Sequence, residues 1–401
     1  MRLKEHFTGV AAKRLKPVEA DPTTSNQHEF NGIESFKKIL GEDRVTFHTI
    51  FLHLDDDDPP TQSDGSSTWY DARENHPSRS EYRLYFPSND VTQNYAANDL
   101  VIVGLRPNNT LLIISTPAGS TVGSQLLWLF GLDDPEKSSI ARTSEQFDRD
   151  VNFVSRWVLE SIGIEDAPDS SDKIIDQLKT QFGSTLPSTR VFSEFARSQS
   201  KSIDPITDPD CAIMEWLETE ERYFRAFERI LVEQRLRDGF VRADGSVDVD
   251  DFVSFSLSVQ NRRKSRAGYA LENHLEFIFK QCKLRFDRGA RTEGRSKPDF
   301  LFPGRNEYQS SDFKDHQLTV LGAKATCKDR WRQILGEADR VKIKHLITLE
   351  PGISENQTTE MESRLVQLVL PIAIHPTFSR KQQDWLWSVR NFIDYVKQQQ
   401  P

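Results

Sequence analysis

The chain has 401 residues, 28% of them charged, and a formal net charge of -9. That length is too great for one ordinary hydrophobic core, so two domains are expected. No run approaches the roughly 18 apolar residues that a membrane-spanning helix needs, which argues against a helical membrane protein.

The opening stretch MRLKEHFTGVAAKRLKPVEA is basic but has no sustained apolar core, so no secretory signal is expected. Residues 1–30 read as largely irregular. Strands are expected at VTFHTIFLHL (45–54), EYRLYF (81–86), DLVIVGL (99–105) and TLLIIST (110–116), the last two joined by a turn at PNN (107–109). Between them, DDDDPPTQSDGSS (55–67) reads as a breaker, with prolines, serines and repeated like charge. GSQLLWLFGL (123–132) suggests a short helix or an apolar connection, and helical spacing recurs at 151–163 and 172–182. The N-terminal domain, residues 1–185, is therefore expected to be strand-rich, α+β or barrel-like.

Residues 186–210, ending in SKSIDPITDPD, are expected to form a linker region before a second domain at 211–401. A long amphipathic helix should occupy 211–238, with further helices at 247–262 and 269–282. Strands are expected at 297–304, 317–326, 343–351 and 364–375. They are interleaved with a helix at 327–341 and followed by one at 381–398. Alternating helices and buried strands indicate an α/β domain with a central mixed sheet. Cys211, Cys282 and Cys327 are isolated, which argues for a reducing, cytoplasmic compartment and against a disulfide framework or a structural zinc site.

Net acidity argues against a nucleic-acid partner, but the charge is unevenly spread. Residues 261–305 carry twelve Lys/Arg against five Asp/Glu, and residues 324–344 carry seven against three. Basic patches on an acidic chain suit a DNA enzyme and are also common in proteins with no DNA role.

The residues most suggestive of chemistry are Asp299 in KPDFLFP, Lys324 closing LTVLGAK, and Glu337 beyond it on the following predicted helix. Glu272, on an earlier predicted helix, could face the same cavity. Hard carboxylate oxygens suit Mg²⁺, which polarises a phosphate and acidifies water. A lysine can orient that water or neutralise developing charge. Taken alone, the pattern fits equally a strand-end cap and a solvated lysine. The absence of GxxxxGK[ST] argues against ATP dependence.

NRRKSRAGYALENHLEFIF (261–279), TEGRSKPDFLFPG (292–304) and GAKATCKDRWRQILGEADR (322–340) together resemble the C-terminal catalytic domain of the EcoRII restriction endonuclease family. The likeness covers roughly residues 210–396. It implies an active site of Asp299, Lys324 and Glu337, with Asp299 and Glu337 as Mg²⁺ ligands. It also implies DNA reading by Lys328, Asp329 and Arg330. Arg can donate twice to guanine, and Asp can accept from cytosine. Arg262, Arg263, Lys264 and Arg266 are expected at phosphates, as is Arg222 on the long helix. Trp331 is expected to anchor the core, and His274 and His345 to be structural.

The resemblance further implies a prokaryotic type II enzyme cutting double-stranded DNA at a C/G-rich site such as CCWGG. It would act as a homodimer through the C-terminal domain, beside a cognate cytosine methyltransferase. That family can carry an N-terminal DNA-binding effector domain. No residue-level match supports one here, and Arg73, Arg79 and Arg83, with Arg106 near a turn, are the basic candidates. A noncatalytic DNA-binding regulator on a nuclease scaffold is the alternative from another class.

Overall fold

The computed structural model describes residues 3–20, 28–135, 141–143, 153–164, 172–200, 202–293 and 296–400. The chain divides into two compact units. One comprises residues 1–166 with 351–358, the other residues 167–350 with 359–401.

The first unit is strand-rich α+β. Its strands are β1 (Gly9–Arg14), β2 (Glu29–Asn31), β3 (Val45–His53), β4 (Thr61–Asp71), β5 (Tyr82–Tyr85), β6 (Leu100–Leu105), β7 (Thr110–Thr116) and β8 (Ala141–Thr143). They form one sheet in the order β2-β5-β4-β3-β7-β6-β1-β8. The helices are α1 (Pro17–Ala20), α2 (Glu34–Leu40), α3 (Thr121–Phe130) and α4 (Phe153–Ser161). Apolar residues on β6 and β7 alternate between two cores. Leu100, Ile102, Leu112 and Ile114 pack with Leu126 and Leu129 of α3. Val101, Val103, Leu111 and Ile113 pack with Phe36, Phe51 and Trp69. Both faces of the central strands are covered, so these strands read as unbroken apolar runs.

Two expectations for this unit are corrected. β1 is an ordered, almost wholly buried strand within the stretch read as irregular. β4 begins inside the stretch read as a breaker and pairs residue by residue with β3, from Val45↔Trp69 to His53↔Thr61. The acidic run before it has a local use, because Asp56 accepts the backbone N–H groups of Thr121 and Val122 at 2.8 and 3.0 Å. This places negative charge at the start of α3.

The second unit holds a five-stranded mixed sheet in the order β13-β12-β11-β10-β9. Its strands are β9 (Asp287–Arg288), β10 (Phe300–Phe302), β11 (Thr319–Lys324), β12 (Lys344–Thr348) and β13 (Val366–Val369). β11, β12 and β13 run parallel, whereas β10 is antiparallel to β11 and to β9. The helices are α5 (Asp172–Phe182), α6 (Thr189–Gln199), α7 (Pro209–Asp238), α8 (Val249–Gln281), α9 (Arg305–Gln309), α10 (Glu355–Ser363, whose first residues belong to the 351–358 segment), α11 (Arg380–Gln383) and α12 (Val389–Gln399). Helix α6 lies within the stretch expected as a linker.

The two helices expected over 247–282 are one, α8, with 33 residues. Gly268 is accommodated inside it because Arg266 and Asn273 on either side are buried and bonded to Pro187 and Ser193. The first turns of α8 lie outside the core, leaving Val249, Phe252, Val253 and Leu257 exposed. The helix expected at 381–398 breaks between α11 and α12, where Ser388 forms a capping box with Asn391. Buried Asp210, near the start of α7, accepts the N–H groups of Ile372, Val389 and Arg390 and so ties α7 to the start of α12.

Candidate active site

β10 and β11 bring Asp299 and Lys324 together. Asp299 immediately precedes β10, whose residues Phe300–Phe302 are fully buried. Lys324 ends β11, the only residue of that strand not buried. The Lys324 Nζ lies 2.9 Å from Asp299 Oδ2. The same oxygen accepts the Ala323 backbone N–H at 2.7 Å. One carboxylate oxygen is thus fixed by two donors from the neighbouring strand.

Glu337 stands just beyond a 3-10 helix, Lys328–Gly336, rather than within the longer α-helix expected at 327–341. The next residue, Ala338, is buried with a left-handed φ of 51°. Lys344, reaching from β12, donates to the carbonyl of Glu337 and, at 2.6 Å, to that of Ala338. Burial raises the Glu337 carboxyl above the usual range, and the negative charge of Asp299 raises it further. Glu272 on α8 behaves likewise, with burial the larger cause. There the Arg288 hydrogen bond opposes the shift and the charge of Asp299 adds to it. Asp299, Glu272, Glu337 and Lys324 therefore share one electrostatic site.

Arg288 of β9 was not foreseen. It donates to Glu272 Oε2 through Nε at 3.2 Å and Nη2 at 2.8 Å. Its Nη1 donates to Asn273 at 2.8 Å and to Glu276 at 2.7 Å. The available signal was Glu272 and Glu276 spaced i,i+4 on one helical face, a natural seat for a cation. Lys344 was missed too, because nothing in KIKHLITL distinguishes its buried lysine from an exposed one.

The expected DNA-contacting residues divide. Arg330 is exposed, with its backbone N–H on the Cys327 carbonyl. Trp331 beside it is fully buried. Arg222 is exposed over the Tyr223 ring, and Arg262 is half-exposed. The side chains of Lys264, Lys328 and Asp329 lie outside the described residues. Arg263 and Arg266 are corrected. Arg263 pairs with buried Glu228 at 2.6 Å. Arg266 is itself buried, over the rings of Phe192 and Phe224. Three helices packed together turn both inward.

In the first unit, Arg73 pairs with Glu81, and Arg83 with Glu29 and Glu81. Their charge is largely neutralised. Arg79 is exposed, and Arg106 is half-exposed at its turn. His274 is buried between Glu220 and Arg197. His345 is buried against the rings of Trp387, Phe392 and Tyr395. Both are structural.

The family described as EcoRII C terminal matches residues 224–393. This part of the chain is thus similar to an EcoRII C-terminal domain. Over 187 residues the chain is 43% identical to the type II restriction enzyme EcoRII of Escherichia coli. That alignment takes in 46% of this chain and 45% of the relative, so less than half of the relative's length is matched. Among solved structures, metal-depleted Ecl18kI in complex with uncleaved DNA aligns with a TM-score of 0.43 and 18% identity, covering 57% of this chain and 84% of that one. A restriction endonuclease PspGI–substrate DNA complex aligns at 0.39 and 14%, covering 57% and 92%. The EcoRII C-terminal match includes Glu272, Asp299, Lys324 and Glu337 and begins two residues after Arg222.

Among the described residues, no three His, Cys, Asp or Glu side chains converge as a preformed metal cage. The donor set still fits Mg²⁺, which typically takes one or two protein carboxylates and completes its shell with water and substrate phosphate. The repulsion that Asp299 exerts on Glu272 and on Glu337 is what a divalent cation would relieve. Among the described residues, no helix is long and apolar enough to cross a membrane.

Proposed function

We propose that this protein is a type II restriction endonuclease. It makes Mg²⁺-dependent double-strand cuts at a short C/G-rich, CCWGG-like sequence and leaves 5′-phosphates. The observation that carries this reading is the pairing of Lys324 with Asp299, with Glu337 and Glu272 in the same field, inside a domain of the EcoRII C-terminal family.

Asp299 and Glu337 would hold the metal. When bound, Mg²⁺ would offset charge on the scissile phosphate and acidify a water molecule. Lys324, placed beside Asp299, would add positive charge where the phosphorane develops. The Ala323 N–H and Lys324 together occupy Asp299 Oδ2, which leaves Oδ1 for the cation. Glu272 contributes a further carboxylate to the same pocket.

Arg330, with Lys328 and Asp329, would read base edges, while Arg222, Arg262 and Lys264 would meet phosphates. Cutting both strands of a palindrome calls for a two-fold homodimer through the C-terminal domain. It also calls for a cytosine methyltransferase protecting the host DNA, in a prokaryotic cytoplasm. The N-terminal unit is proposed as a second DNA-binding element, with exposed Arg79 as a candidate contact.

The test is cleavage of unmethylated plasmid bearing CCWGG sites, with Mg²⁺ and with EDTA, beside Asp299→Ala. Discrete Mg²⁺-dependent fragments that vanish in the variant support the nuclease. Site-specific binding by the wild type with no cutting would instead identify a noncatalytic regulator.

A further inference from the structure

We infer that Arg288 is a positioning residue that holds Glu272 as an oriented third carboxylate of the nuclease site. This rests on the nuclease reading above.

Arg288 places two donors, Nε and Nη2, on a single oxygen, Glu272 Oε2. Among the described residues, no donor is bonded to Oε1, which remains for a cation or a cation-bound water. The guanidinium is itself fixed from a third side, because Nη1 is shared between Asn273 and Glu276. Glu276 is restrained in turn by Lys280 at 2.6 Å and Arg190 at 2.8 Å. Glu272 and Glu276 lie one turn apart on α8, while Arg288 lies on β9, next to the strand that follows Asp299. The fork therefore fixes the helix-borne carboxylate relative to the sheet edge that carries Asp299. An outer group that orients a ligand oxygen typically alters metal affinity or activity by about 10–100-fold when removed.

A purely competitive role for Arg288 predicts the opposite sign. A cation that merely neutralised Glu272 would repel the metal, and its removal would tighten metal binding. Arg288→Lys separates these effects, because it keeps the charge and loses the planar fork.

The experiment uses the full chain with a CCWGG duplex and Mn²⁺ as the probe ion, following loss of the free-ion electron paramagnetic resonance signal. Cleavage kinetics, DNA affinity in EDTA and thermal unfolding are measured alongside. Arg288→Lys and Arg288→Met are expected to weaken Mn²⁺ binding and lower kcat by about tenfold or more, with DNA affinity in EDTA within about twofold of wild type. Adding Arg288→Lys to Glu272→Gln should cause no further loss, because the arginine acts through that carboxylate. The proposal is overturned if Mn²⁺ affinity is unchanged or tighter in Arg288→Met, or if the two substitutions add. If wild type neither binds Mn²⁺ nor cuts, the nuclease reading falls and this proposal falls with it. If wild type does both and only the Arg288 variants behave otherwise, this proposal alone falls.

Discussion

Lys324 and Asp299 meet across adjacent antiparallel strands, with the ammonium 2.9 Å from the carboxylate oxygen that also holds the Ala323 N–H. Replacing Lys324 with Ala leaves Asp299 one donor short and removes the cation facing the phosphate. Cleavage should fall by about 10²–10³-fold, while DNA affinity in EDTA stays within a few-fold. Equal losses in both measurements would assign Lys324 to binding instead.

Lys344 holds the backbone on which Glu337 rides. Lys344→Met leaves the carbonyls of Glu337 and Ala338 without this donor, at about 1–3 kcal/mol for a buried group. Urea unfolding should show a loss of about 2–3 kcal/mol. Cleavage should fall by more than the unfolded fraction explains. Unchanged kcat in the folded population would mean that Glu337 keeps its place without this clamp.

Gly322 has no room for a side chain, because a Cβ there would lie 2.7 Å from Ile334 Cγ2. Ile334 lies on the 3-10 helix that also carries Arg330. Gly322→Ala should cost about 1–3 kcal/mol and impair cleavage. Adding Ile334→Ala should recover part of that cost in a double-mutant cycle. Strict additivity would show that the clash is relieved elsewhere.

Arg330 and Arg266 should behave oppositely. Arg330→Ala, at an exposed position, should change stability by less than about 0.5 kcal/mol and cost about 1–3 kcal/mol of specific binding. Arg266→Ala strips a buried cation from two aromatic faces and should lower the unfolding midpoint, with the salt dependence of DNA binding unchanged. A reduced salt slope for Arg266→Ala would return it to the phosphate-contacting set.

His345 gives the fold an acid limit. Burial lowers its pKa to about 4, against about 6.5 when unfolded. Between these values the unfolded chain binds the proton and the folded chain does not. Stability is therefore full above about pH 6.5 and declines as pH falls toward 4, by up to about 3 kcal/mol. Chemical unfolding at pH 7 and pH 5 should show a smaller drop for His345→Phe than for wild type. Equal drops would place the acid sensitivity in other groups.

The sheet of the second unit was legible because LTVLGAK and HLITL are short apolar runs, and burial on both faces demands such runs. The Asp299–Lys324–Glu337 set is expected from the family resemblance rather than from spacing, and the structure brings Asp299 and Lys324 into contact. β4 was hidden because Thr61–Asp71 has weak intrinsic preference and is held as a strand by its pairing with β3. Arg266 and Arg263 looked like a surface run, since nothing local tells an arginine facing solvent from one facing Phe192 or Glu228. Arg288 was unremarkable in sequence because its importance comes from a partner fifteen or sixteen positions earlier on another element.

The exposed start of α8 has an evolutionary corollary. One residue added to a helix advances it by 1.5 Å and turns it by about 100°, which would ruin the alignment of Glu272 and Glu276 with Arg288 if absorbed near the sheet. The segment around Arg266, Asn273 and His274 is locked by buried partners. The first turns after Asp248 hold the small Phe240–Phe252–Phe255 cluster and surface ion pairs of Asp251 with Arg235 and of Asp250 with Arg242. Insertions and deletions that lengthen or shorten α7 and α8 together at this end move the tip alone. Length variation among homologues should therefore concentrate there.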